Sequence, residues 1–101
     1  MGDEYSTSDN VRLDKLAVAR FAEQLGSLEN YEVLRVHEDR ILLRFRSAEK
    51  RSTWAEDVEL RFNNRIHVIV HSGTRAQRTD LIAALKKLLE TNYPKLKFEE
   101  L

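Results

Sequence analysis

The stretch DVELRFNNRIHVIVHSG (residues 57–73) carries the clearest fold signal in the chain. Its apolar residues alternate with polar ones in two runs, Val58, Leu60 and Phe62, then Ile66, Val68 and Val70. An alternation with a period of two is typical of β-strands that bury one face. The stretch therefore predicts a β-hairpin.

The register of this hairpin follows from the side chains that must point inward. Phe62 lies opposite Ile66 in this register, because a two-residue Asn-Asn turn would put Arg65 in the core. The connection is then a three-residue loop over positions 63–65, which we predict to contain a β-bulge. Asparagine tolerates the left-handed backbone that such a loop needs.

A second alternating stretch, YEVLRVHEDRILLRFRS (residues 31–47), precedes it and predicts another hairpin. Pairing Leu34 with Leu43 and Val36 with Ile41 keeps the apolar residues on one face. This pairing leaves a two-residue turn at positions 38–39. The four runs together indicate an antiparallel sheet with one buried face.

Helical periodicity flanks the strands on both sides. Residues 10–27 carry an apolar stripe that predicts a helix capped by Ser8 or Asp9 and ended by Gly26. Residues 74–94 carry a second stripe, with Ser72 or Thr74 as the cap and Pro94 as the stop. Beyond it, KLKFEEL (residues 95–101) fits either a short edge strand or a tail packed on the helix.

The predicted fold is an α+β two-layer sandwich. It runs from an N-terminal helix through a four-stranded antiparallel meander to a C-terminal helix, with a short extra C-terminal strand as an open alternative. Residues 1–8 are expected to form a flexible arm and residues 9–101 a single domain. The order helix, four strands, helix resembles RWD-type adaptor domains, and that resemblance implies protein–protein contacts. Their Tyr-Pro-x-x-x-Pro motif is missing, since Tyr93-Pro94 follows the last helix.

Composition narrows the classes of function. Seventeen basic and seventeen acidic residues leave the 101-residue chain neutral, so no overall charge recruits nucleic acid or an anionic membrane. No cysteine is present, which excludes disulfides and thiolate chemistry and fits a cytoplasmic location. No apolar run is long enough to span a bilayer.

The histidines are the first candidates for chemistry. His67 and His71 stand about 13 Å apart if both lie on one strand, too far to share a metal ion. The register sets Asp57 opposite His71, which with Ser72 gives a hypothetical catalytic triad, whereas a cross-strand ion pair is the simpler interpretation. We expect no metal, no cofactor and no enzymatic activity.

Arginines dominate the outward face that this register predicts. Its basic residues are Arg35, Arg40, Arg44, Arg46, Arg61, His67 and His71, against Asp57 and Glu59. Arginine pairs well with carboxylate and phosphate, but Tyr31 is the one outward aromatic, which disfavours RNA stacking. An acidic protein partner is therefore expected, with Trp54 as either an interface anchor or a plug of the core. A solvated face is the alternative.

Arg75 and Arg78 lie in the first turn of the second predicted helix. Positive charge is unfavourable there, because the helix dipole is positive at its N-terminus. The two arginines therefore either pair with acidic groups or face a bound anion. Solvated arginines on a capped helix are the simpler interpretation.

The sequence thus predicts a non-catalytic protein–protein interaction domain, such as an immunity or antitoxin-type inhibitor that binds an acidic partner. An adaptor subunit, or an anion or nucleic-acid module using the same arginines, is the alternative, and so is a homodimer through the sheet face or residues 95–101. The expected contact residues are Arg35, Arg44, Arg46, Trp54, Arg61, His67, His71, Arg75 and Arg78. Charge reversal at Arg44 and Arg46 is expected to abolish partner capture.

Overall fold

The computed structural model of the chain describes residues 3–46 and 55–101. These form two helices and six strands in the order β1 (Asp3–Thr7), α1 (Lys15–Gly26), β2 (Tyr31–Val36), β3 (Arg40–Phe45), β4 (Val58–Asn63), β5 (Arg65–Val70), α2 (Arg75–Leu89) and β6 (Phe98–Glu100). The strands make one antiparallel sheet in the order β2-β3-β4-β5-β1-β6. The α+β class is confirmed, and the sheet is larger than the predicted four-stranded meander.

The hairpin β4–β5 has the predicted register. Phe62 pairs with Ile66, and the residues on this face are buried from Val58 to Val70. Asn64 takes a positive φ of 64°, the left-handed conformation expected of the loop. The ladder continues through Asn63 and Arg65 without a shift, so the predicted bulge is absent from this hairpin.

A bulge occurs instead in the hairpin β2–β3. Val36 pairs with Ile41 as predicted, but Val33 rather than Leu34 pairs with Leu43, and the register shifts between Val33 and Arg35. Simple alternation cannot reveal an inserted residue, because Leu34 is as apolar as its neighbour. The shift lets Tyr31 pair with Phe45, and both rings are buried.

The N-terminal residues differ most from the expectation. Residues 3–7, expected to be part of a flexible arm, form β1, which lies between β5 and β6. Thr7 is 1% exposed, and its Oγ1 accepts a hydrogen bond from the Ile66 N–H at 3.2 Å. The C-terminal strand left open by the sequence is β6, and its addition gives an element order different from that of the RWD-type domains.

Both helices pack on the same core. Helix α1 is capped by Asp14, whose carboxylate accepts from the Ala17 N–H, so the helix starts later than Ser8 or Asp9 would allow. Helix α2 is capped by Thr74, as predicted, in a reciprocal capping box with Gln77. It ends at Leu89, before Pro94.

The turn into α2 depends on a glycine. Gly73 has a φ of +133°, and a Cβ atom there would lie 2.6 Å from Cε2 of Phe45. A larger residue would therefore strain the backbone and strike a buried ring. The turn thus fixes the start of α2 against the end of β3.

Candidate functional site

The sheet face opposite the helices carries a row of basic side chains. Arg40 pairs with Arg61 across β3–β4, and Arg61 pairs with His67 across β4–β5, as the sequence predicts for the latter pair. Next to His67 on this face lies Ser6 of β1, a small polar residue. Arg35 lies farther along the same sheet on β2 and is exposed.

Groups within the chain already contact several of these arginines. The buried Glu59 carboxylate binds Arg61 through a short contact and lies 3.9 Å from Arg40, and the pKa of Arg61 is raised by its hydrogen bond with Glu59. Arg44 donates to the carbonyl of Ala55, and Arg46 donates to the carbonyl of Tyr31. The ion pairs of Glu59 therefore make the sheet face less strongly cationic than its arginine content suggests, and the carbonyl contacts hold Arg44 and Arg46 in place without changing their charge.

A cluster of potential metal ligands lies on this face. One ligand atom each of Glu56, Glu59 and His71 lies within 4.8 Å of the others. The sequence pattern did not indicate this group, although the predicted register makes Glu59 and His71 diagonal neighbours across β4–β5. Arg61 and Arg40 already balance the charge of Glu59, and this weakens its attraction for a cation.

The hydrogen bonds of Asp57 differ from those of a catalytic triad. The backbone N–H of His71 donates to the Asp57 carbonyl, which matches the predicted pairing, but Asp57 is buried rather than outward. Its carboxylate accepts from Ser72 Oγ at 2.7 Å and from the Phe45 N–H at 2.9 Å. In a triad the hydroxyl would bind the imidazole and the imidazole would bind the carboxylate. Asp57 therefore joins the ends of β3, β4 and β5.

A groove with a volume of about 680 Å³ opens on the helix side of the sheet. Tyr5 of β1 pairs with the buried Val68 and with Glu100 of β6, so all three lie on the face that the helices cover. Helix α2 leaves part of this face open. The groove is lined by Tyr5, Glu100, Arg75, Arg78, Ile82 and Lys86, together with small residues of α2.

The charges in the groove are mostly positive. Arg75, Arg78 and Lys86 share one face of α2, because their spacing follows the helical period. Arg78 also donates to the carbonyl of Gly73 at 3.3 Å. Neither Arg75 nor Lys86 forms an ion pair with a residue in the ranges 3–46 and 55–101. Glu100 is the one carboxylate among the lining residues.

The predicted contact residues thus divide between two surfaces. Those on or beside the sheet face are Arg35, Arg44, Arg46, Arg61, His67 and His71. Arg75 and Arg78 lie in the groove, on the opposite side of the sheet. Trp54 lies outside the described residues, and its predicted role stays a prediction.

Sequence reasoning missed Tyr5 and Glu100 as members of the groove. They come from opposite ends of the chain and meet only because β1 and β6 pair. The one signal available was Tyr5, an aromatic residue in an otherwise polar N-terminal segment. Lys86 falls within the predicted second helix, where its position in the sequence does not by itself indicate a groove.

Comparison of the chain with protein-family models, with curated proteins and with solved structures finds no match to any of them. In the described parts of the chain, neither helix combines the length and the apolar character needed to cross a membrane.

Proposed function

We propose that the chain is a non-catalytic protein-binding domain that holds an acidic segment of a partner protein in the groove between α2, β1 and β6. One observation carries the proposal: three cations line this groove opposite a half-buried tyrosine. Of the three, Arg75 and Lys86 have no described ion-pair partner. An acidic segment supplies the missing counter-charges.

The position of Arg75 strengthens the electrostatic argument. It is the first residue of α2, where its charge adds to the positive end of the helix dipole. A carboxylate in the groove would relieve this repulsion and interact with the helix end as well as with the side chain. Anion binding therefore gives a physical reason for a cation at this helix position.

The groove also offers apolar contacts. Tyr5 and Ile82 are half-buried and flank the cations. Aromatic anchors contribute much of the binding energy in protein interfaces, while surrounding charges increase the association rate and the selectivity. The partner segment that fits best combines carboxylates with at least one apolar side chain. Inhibition of an enzyme in the manner of an immunity protein, and an adaptor role, are two uses of such a groove.

The sheet face is the second candidate surface for the same function. The row Arg40, Arg61 and His67 favours it, because its members lie on adjacent strands. The contacts of Glu59 with Arg61 and Arg40 count against it. Charge reversal at Arg44 is also a poor test, because this half-buried side chain supports the Ala55 carbonyl.

A nuclear magnetic resonance titration distinguishes the two surfaces. The probe is a synthetic peptide of alternating glutamate and leucine, added to isotope-labelled protein, with a lysine–leucine peptide as the matched control. The groove predicts amide shifts at Tyr5, at the first turns of α2 and at Glu100, and no shifts with the control. Shifts confined to β3 and β4 would move the site to the sheet face. Equal shifts with both peptides would contradict the electrostatic proposal, and a stronger response to a single-stranded oligonucleotide would favour nucleic acid.

A further inference from the structure

The outer edge of β6 is one of the two ends of the sheet, and no described residue pairs with it. The other end, β2, is interrupted by its bulge, and the carbonyl of Tyr31 accepts from Arg46. Such features hinder the addition of another strand. The edge of β6 has no bulge in its pairing with β1.

The hydrogen bonds to β1 determine which backbone groups of β6 are free to pair. The N–H of Ser8 donates to the Lys97 carbonyl at 2.9 Å, and the N–H of Leu101 donates to the Glu4 carbonyl at 2.8 Å. Alternate residues of a strand direct these groups to the same side. The groups of Lys97, Glu99 and Leu101 therefore face β1, and those of Phe98 and Glu100 face the outer edge.

The side chains around Phe98 complement the same side chains of a second copy of the chain. In an antiparallel pair centred on Phe98, Lys97 lies opposite Glu99 of the second copy, and the symmetric contact repeats on the other side. Both positions belong to non-hydrogen-bonded pairs, where side chains approach most closely. Opposite charges therefore meet twice in this register.

Phe98 adds an apolar contact to these two charge pairs. It pairs with the buried Thr7 and packs, half-buried, against the core on the helix side. The symmetric register brings its ring beside Phe98 of the second copy, which would cover part of the exposed aromatic surface. A wholly acidic foreign strand would instead meet Glu99 and Glu100, so the mixed charges of this edge favour a second copy of the chain.

We propose that two copies of the chain associate through their β6 edges, antiparallel about Phe98, to form a continuous twelve-stranded sheet. This interface has two-fold symmetry, so each copy contributes the same strand. It does not depend on the proposed function, because Lys97 and Glu99 do not line the groove. The expected association is weak, since the described strand spans three residues.

Sedimentation velocity on charge-swapped variants tests the dimer. The wild-type chain should show concentration-dependent association, and Lys97→Glu and Glu99→Lys should each lower its association constant by about tenfold or more, because both symmetric contacts become repulsive. The double variant K97E/E99K should recover association. An equimolar mixture of the two single variants should form a heterodimer.

Lys87→Glu is the matched control, because it makes the same charge change on the exposed surface of α2. It should leave association unchanged, and equal thermal midpoints would confirm that every variant is folded. A wild-type chain that stays monomeric at all concentrations overturns the proposal. Association unaffected by the single swaps, or not recovered by the double swap and the mixture, overturns it equally.

Discussion

Asp57 connects the ends of β3, β4 and β5. Its carboxylate accepts hydrogen bonds from Phe45 and Ser72, and its backbone pairs with Leu43 and His71. Asp57→Ala leaves the buried N–H of Phe45 without this acceptor, so we expect the free energy of unfolding to fall by about 2–4 kcal/mol. Urea unfolding measures the change.

Ser72→Ala serves as the graded control for Asp57. It removes one donor and keeps the carboxylate, so a loss of about 1 kcal/mol is expected. A loss for Asp57→Ala no larger than that for Ser72→Ala would contradict the structural role given to the carboxylate.

Tyr31 makes stability depend on alkaline pH. Burial, and second the nearby Asp80 carboxylate, raise the pKa of its phenol above the usual value of 10.0. The folded state therefore holds the proton more tightly, so this contribution is complete below pH 10.0 and is lost as the pH rises through the folded pKa. Tyr31→Phe keeps the ring beside Phe45 and should flatten the alkaline decline of the unfolding free energy. Parallel pH profiles for the two proteins, measured by urea unfolding, would contradict this assignment.

Removal of strand β1 should lower the stability of the sheet. It supplies the ladder between β5 and β6, so a chain that lacks residues 1–8 loses hydrogen bonds to both neighbours. We expect the free energy of unfolding to fall by more than about 3 kcal/mol, and circular dichroism during thermal unfolding measures the loss. Thr7→Val is a milder test, because it removes the acceptor of the Ile66 N–H and the donor to the Asp9 carbonyl and leaves the strand in place, and it should cost about 1–3 kcal/mol. An unchanged midpoint after truncation would agree with the flexible arm and contradict the sheet order.

The elements differ in how far sequence could predict them. The register of β4–β5 could be predicted from Phe62 and Ile66, because a shift of the pairing by one residue would bury Arg65. The bulge near Leu34 could not be predicted, because Val33 and Leu34 are both apolar and either of them could pair with Leu43. Strand β1 was missed because its sequence DEYST has one aromatic among polar residues, and its pairing with β5 is a long-range contact.

At the scale of the whole molecule, the same limits apply to the groove. Arg75 and Arg78 were predictable as unusual cations at a helix start, and their local positions follow from the Thr74 cap. The wall opposite them is formed by Tyr5 and Glu100, whose meeting depends on the order of the strands. Sequence reasoning therefore predicted the charges but not the concave shape.

The central claim is that the groove, rather than the sheet face, binds an acidic segment. Two double variants make the same change in charge on the two surfaces. Arg75→Glu with Lys86→Glu alters the groove, and Arg35→Glu with Arg40→Glu alters exposed positions on the sheet face. Their thermal midpoints provide the check on folding.

Fluorescence anisotropy of a labelled glutamate–leucine peptide, measured at low and at high salt, tests this claim most directly. We predict that the groove variant weakens binding by at least about tenfold, a loss of about 1.4 kcal/mol, while the sheet-face variant changes it much less. Wild-type binding should weaken as salt screens the charges. Binding by the groove variant as tight as that of the wild-type protein would contradict the claim.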